Sequence, residues 1–138
     1  MDPVILRGTC LCGAVSWTFE GIPDAATACN CTACRRYGAL WIYDYEGERV
    51  SYAGPTTAFV RSDLVEPPYL ENRFCSTCGN LVCWRGLEPQ ADGRRRMAVN
   101  LRLTQPELVA NIAIRSFDGL DKFEDRPPDG RCVRDLWC

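Results

Sequence analysis

Ten cysteines and no histidine in a chain of 138 residues constrain this protein more than any other feature. Packing alone needs far fewer cysteines than about 7 % of a chain. The missing histidine removes Ser-His-Asp and Cys-His catalytic arrangements and any imidazole metal ligand. Seven of the ten thiols fall into three tight groups: Cys10 and Cys12; Cys29, Cys31 and Cys34; Cys75 and Cys78. The opening Met1-Asp2-Pro3-Val4-Ile5-Leu6-Arg7 lacks a basic, long apolar leader, which points to the cytoplasm, where thiols stay reduced. Clustered reduced thiols in that compartment favour metal over disulfides; buried metal-free cysteines, disulfides, redox chemistry and iron–sulfur ligation are the competing explanations.

The spacing carries chemistry. Cys75-Ser76-Thr77-Cys78-Gly79 reads as a zinc knuckle: the turn aims backbone amides at the sulfurs, and the glycine supplies the positive φ that such a turn needs. It offers two of the four ligands of a tetrahedral ion. Cys10 and Cys12 can supply the others, because residues i and i+2 of a strand share a face, with a bend allowed by Gly8 and Gly13. Cys29, Cys31 and Cys34 place three thiolates within six residues, the pattern of a zinc with one open position suited to water or an external thiolate.

The rest of the chain reads as one domain of short strands, an all-β fold of sandwich or barrel type with at most short helices. Strand-like stretches are 13–19, 40–43, 57–61, 81–84, 97–101 and 111–115, separated by turn residues such as Gly54-Pro55 and Asp92-Gly93. Thr104-Gln105-Pro106-Glu107 predicts one brief helix with Thr104 as its cap. The zinc domain is expected over 1–124, followed by a loosely held tail over 125–138 that contains Pro127-Pro128-Asp129-Gly130. Trp17, Trp41 and Trp84 read as core, Arg94-Arg95-Arg96 as solvated surface, Cys83 as a small buried hydrophobe, and Cys132 and Cys138 as free thiols. A net charge of −2 argues against nucleic acid, and no apolar stretch reaches membrane-spanning length. Exposed β edges leave room for a homodimer.

The three cysteine motifs, with Gly13-x-Val15, Arg35 and Phe74 beside them, resemble the family of the glutathione-dependent formaldehyde-activating enzyme and centromere protein V, over roughly residues 6 to 84. Met97-x-Val99-Asn100-x-Arg102 and Phe117-Asp118-Gly119-Leu120 look like one bacterial branch of it. The resemblance implies a mainly β, zinc-bearing fold with a structural zinc on Cys10, Cys12, Cys75 and Cys78, and a second, catalytic zinc on Cys29, Cys31 and Cys34. It implies a carbon–sulfur lyase-type activity on the adduct of glutathione and formaldehyde; the alternative is a non-catalytic zinc module that binds glutathione or a protein partner. In that branch a histidine often stands where this chain has Cys83, so any proton shuttle here must use another group. Arg35 and Arg36, directly after the last ligand, are the expected receptors of glutathione carboxylates, with Arg102 a weaker candidate of the same kind and Tyr37 either a proton donor near the site or a packing residue.

Overall fold

The structure, a computed structural model, describes residues 4–137, so Cys138 and the first three residues lie outside it. Short strands with period-two burial dominate the described residues. In β2, Ser16–Glu20, Trp17 and Phe19 point inward between half-buried Ser16 and Thr18. This strand sits between β1, Ile5–Thr9, and β5, Val50–Ala53, in an antiparallel three-stranded sheet.

The second sheet has eight strands. Their spatial order is β11 (Glu124–Asp125), β10 (Ala113–Asp118), β3 (Ala25–Cys29), β4 (Trp41–Tyr45), β9 (Arg96–Asn100), β8 (Leu81–Gly86), β7 (Leu70–Cys75) and β6 (Thr56–Phe59). All pairings are antiparallel except β10 with β3, which run parallel and put Phe117 opposite Cys29. Between β7 and β8 the register slips at Arg73/Phe74, leaving Val82 as an extra residue just before the Cys75 turn.

The two sheets bury one main core between them. Leu6, Trp17, Phe19 and Val50 of the small sheet meet Ile42, Cys83, Met97 and Val99 of the large one. Alternation then sends their sequence neighbours Trp41, Trp84 and Ala98 to the opposite face of the large sheet, where a second cluster forms with Leu81 and Ala39. The three tryptophans are therefore interior, and the Trp17 indole N–H donates to the Asn100 carbonyl at 3.1 Å. Cys83 is fully buried, and that burial pushes its thiol up to about 12.

Three local expectations are corrected. A six-residue helix, α1 (Thr32–Tyr37), occupies the middle cysteine motif, which reads from the sequence only as a ligand loop. The brief helix after Thr104 exists as α2, Pro106–Val109, but Gln105 occupies the cap position and makes no side-chain capping bond. The Thr104 hydroxyl instead donates to the Arg7 carbonyl at 2.6 Å, tying the segment to β1. The stretch over 125–138 expected to be loose is docked at the far end of its described residues, after an exposed segment over 126–131. Arg131 accepts from Ile114, Val133 donates to Ile112, and a 3₁₀ turn, Val133–Leu136, sets Val133 into the main core at 2 % exposure. Arg94 is exposed and pairs with Glu48, while its guanidinium stacks over the Tyr45 ring, as a solvated turn allows.

Docking of the tail has a measurable consequence. Val133→Ala removes two buried methyl groups and is expected to cost roughly 1–3 kcal/mol. Urea denaturation checks this; a variant with an unchanged midpoint would show that the tail contributes nothing to the core.

Candidate metal centres

The first cluster is assembled from two turns that belong to different sheets. Cys10 and Cys12 do not sit on a strand as i and i+2. They occupy the tight turn between β1 and β2, closed by a hydrogen bond from Gly13 N–H to the Cys10 carbonyl at 3.0 Å. Cys75 ends β7, and Cys78 stands in the turn before β8. That turn is closed by Gly79 N–H donating to the Cys75 carbonyl, with Gly79 at φ +79°, the left-handed region where a glycine is favoured. The Asn80 side chain joins the two turns: its Oδ1 accepts from Leu11 N–H at 2.8 Å.

Four sulfurs then lie within 4.8 Å of one another. Cys10 and Cys12 are 3.7 Å apart, and Cys12 and Cys75 are 3.5 Å apart. Tetrahedral zinc with bonds of about 2.3 Å needs sulfur–sulfur separations near 3.8 Å, so the cage already has the size of that ion. Backbone amides point at the sulfurs: Val15 N–H at that of Cys10, and those of Thr77 and Cys78 at that of Cys75, at 3.3 to 3.4 Å. Donation from the Asn80 amide, more than any other group, draws the Cys78 thiol down to about 6.

The second cluster is local. Cys29 ends β3, Cys31 is the N-cap of α1, and Cys34 lies within that helix. The Cys31 sulfur accepts the Cys34 amide at 3.3 Å, as a serine or aspartate would at this position. The Cys29 sulfur accepts the Cys31 amide at 3.5 Å, and the Trp41 indole N–H donates to the Cys34 sulfur at 3.3 Å. All three sulfurs are half-buried and within 4.8 Å of one another. Hydrogen bonds from Cys29 and then Cys34 hold the Cys31 thiol far below its ordinary range, while Cys34 is pushed up, first by Cys29. An anionic sulfur held among proton-bearing neighbours is the arrangement that a soft divalent cation replaces.

A loop after β10 walls this cluster. A Cβ at Gly119 would lie 2.7 Å from the Cys29 sulfur and 3.1 Å from the Cys31 Cβ, so only glycine lets the backbone approach so closely. Asn30, between two of the ligand candidates, stitches the loop down. Its Nδ2 donates to Asp118 Oδ1 at 3.2 Å, and its Oδ1 accepts from Leu120 N–H at 3.1 Å. Asp118 also accepts the amides of Asp121 and Lys122, which hold its carboxyl below the usual range.

The other candidates are placed as follows. Arg35 and Arg36 are exposed in the last turn of α1, and Arg36 donates to the Thr32 carbonyl at 2.9 Å. Tyr37 stacks on Phe74 with ring centroids 5.4 Å apart. Arg102 donates to the Leu136 carbonyl and faces away into the tail contact. Cys132 donates to Asp135. The structure adds Asn30, Trp41, Asp118, Gly119 and Arg61 to the surroundings of the three-cysteine cluster. The Asp118-Gly119 pair closing a strand was a turn signal in the sequence. Arg61 had none, since the sulfur that it approaches, that of Cys31, is thirty positions away.

Comparison with known proteins gives a family match and a neighbour of known structure. The sequence description of the family called glutathione-dependent formaldehyde-activating enzyme matches residues 5–109, which hold all seven clustered cysteines. The crystal structure of a Rhodobacter sphaeroides protein, a Northeast Structural Genomics target, is 25 % identical with a TM-score of 0.52, and the match covers 71 % of this chain and 86 % of that one. No curated protein matches the chain. No helix of the described residues is long and apolar enough to cross a membrane.

Two variants test the geometry. Gly119→Ala is expected to displace Cys29 and lower metal retention at the three-cysteine cluster alone, read as loss of about one ion per chain in elemental analysis with the fold intact by circular dichroism. Asn80→Ala removes the bond between the two turns of the four-cysteine cluster and is expected to speed chelator-driven metal release about fivefold, the effect of one hydrogen bond of about 1 kcal/mol.

Proposed function

The chain belongs to the family of the glutathione-dependent formaldehyde-activating enzyme, and on that premise we propose that it is a two-zinc protein acting on a thiol adduct of a small aldehyde. One observation carries the reading: the four-cysteine cluster is complete, whereas the three-cysteine cluster has no fourth sulfur grouped with it among the described residues. Cys83 is buried in the core between the sheets, and Cys132 is engaged with Asp135. Four sulfurs make a closed structural site, and three leave a position for an exchangeable ligand. Glutathione is the thiol that the family's name favours.

Cys10, Cys12, Cys75 and Cys78 would hold the structural ion, and Cys29, Cys31 and Cys34 the second one. A zinc ion at the second site supplies Lewis acidity, lowering the pKa of a thiol that binds there. The protein's own groups prepare the position. The amides of Cys31 and Cys34 and the Trp41 indole take up negative charge on the three cysteine sulfurs, and the Gly119 backbone closes in beside Cys29. In the synthetic direction the substrate sulfur forms a bond to the aldehyde carbon. The carbonyl π pair moves to oxygen, which takes a proton in place of the one the thiol lost, giving a hydroxymethyl thioether. The reverse is carbon–sulfur cleavage. With no histidine in the chain, water reaching the half-buried cluster is the proton carrier.

Freshly purified protein is expected to contain two zinc ions per chain, one on each cluster. Cys31→Ser should retain one and lose glutathione-dependent turnover of formaldehyde, followed by consumption of the aldehyde above the uncatalysed rate. Zinc in wild-type protein together with no rate above background would favour the non-catalytic thiol-binding reading. Folded protein without zinc would remove the basis of both.

A further inference from the structure

Three thiolates around a divalent ion carry a net charge of −1, and a bound substrate thiolate makes it −2. A half-buried centre of that charge needs a cation close by, because solvent screens it incompletely. The arginines nearest in sequence do not fill this role: Arg35 and Arg36 are exposed at the end of α1, and Arg36 is turned back on Thr32.

Arg61 meets the need from a distant part of the chain. It follows β6 by two residues, in the connection to β7. Its Nε and Nη2 bind the two carboxylate oxygens of Asp63 at 2.9 and 2.7 Å. The remaining arm, Nη1, extends to 4.0 Å from the Cys31 sulfur. The pair is asymmetric: the Arg61 side chain is 17 % exposed and that of Asp63 is 48 % exposed. The cation therefore faces the sulfurs and the anion faces solvent. Bidentate clamping fixes the plane of the guanidinium and leaves three of its five N–H donors for other acceptors. An i, i+2 ion pair adds little stability by itself, and its cationic half is the one turned to the sulfurs. So placed, it can meet the negative charge of the cluster and that of an anion arriving there.

We infer that Arg61, held by Asp63, is the specificity-determining cation of the three-cysteine site and selects thiols that carry a carboxylate within reach of its free arm. The inference rests on the reading that this site takes an exchangeable thiol. Arg61 acts on the ligand's charge and has no part in bond making.

The test uses full-length protein with cobalt(II) loaded at the three-cysteine cluster, whose sulfur-to-cobalt absorption reports entry of a further thiol without any turnover. The probes are mercaptoacetate, 2-mercaptoethanol and cysteamine, which present negative, neutral and positive groups beside the same thiol. Comparing variant with wild type for each probe cancels the thiols' own acidities. Arg61→Gln is expected to weaken mercaptoacetate binding about tenfold, leave 2-mercaptoethanol within about twofold, and improve cysteamine, as loss of one charge-assisted contact predicts. Arg61→Lys should keep part of the preference. Asp63→Asn, which loosens the clamp and keeps the cation, should fall between wild type and Arg61→Gln, and it serves if Arg61→Gln loses the metal. Equal changes for all three probes, or none, would overturn the role of Arg61 while leaving the exchangeable site standing. A cobalt spectrum that no thiol alters in wild-type protein would overturn the exchangeable site, and this inference with it.

Discussion

Crowded sulfur is the constraint on which the rest of the structure depends. Thiol sulfurs 3.5 to 3.7 Å apart cannot all ionise without a cation, since two thiolates at that distance repel by on the order of 4 kcal/mol even at an effective dielectric of about 20. Nor would neutral thiols be brought together for their own sake, because their hydrogen bonds are weak. Two turns from different sheets nevertheless converge on one such cage, with amides aimed at its sulfurs. The turns, the glycine at 79 and the Asn80 link are accounted for together if the cage is built around a divalent ion.

The two clusters differ in where their cysteines come from. Cys10 and Cys12 are more than sixty residues from Cys75 and Cys78, so joining them closes the small sheet onto the end of the large one. Cys29, Cys31 and Cys34 span six residues and cross-link nothing remote. Their surroundings are instead recruited from afar: the Trp41 indole, the Asp118–Gly119 loop held by Asn30, and Arg61. A local set of cysteines with an imported shell leaves the joining of the two sheets to the other cluster.

The aromatic cluster on the outer face of the large sheet connects fold to site. Alternation along β4, β8 and β9 that fills the main core with Ile42, Cys83 and Val99 necessarily presents Trp41, Trp84 and Ala98 on the other side. Cys34 and Phe74 pack against that second cluster, and the Trp41 ring at once fills it and donates to sulfur. The core reading of the tryptophans was right about burial and incomplete about chemistry.

The sequence alone determined the mainly β class, through alternation such as Trp17 and Phe19, and the knuckle, because Cys75, Cys78 and Gly79 act within one turn. It also grouped the cysteines by spacing. Helix α1 was not legible, because none of its six residues is fully buried and no apolar stripe marks it. The docked tail was not legible either, because a single buried valine among charged neighbours carries no periodic signal. Only the tertiary structure decided which chain segments surround the three-cysteine cluster: Gly119 and Arg61 reach it through strand pairing and a β6–β7 connection, contacts dozens of residues long in sequence. Local backbone chemistry is written in adjacent residues. The space and charge around a metal site are set by which distant backbones meet, and that follows from how the sheets close.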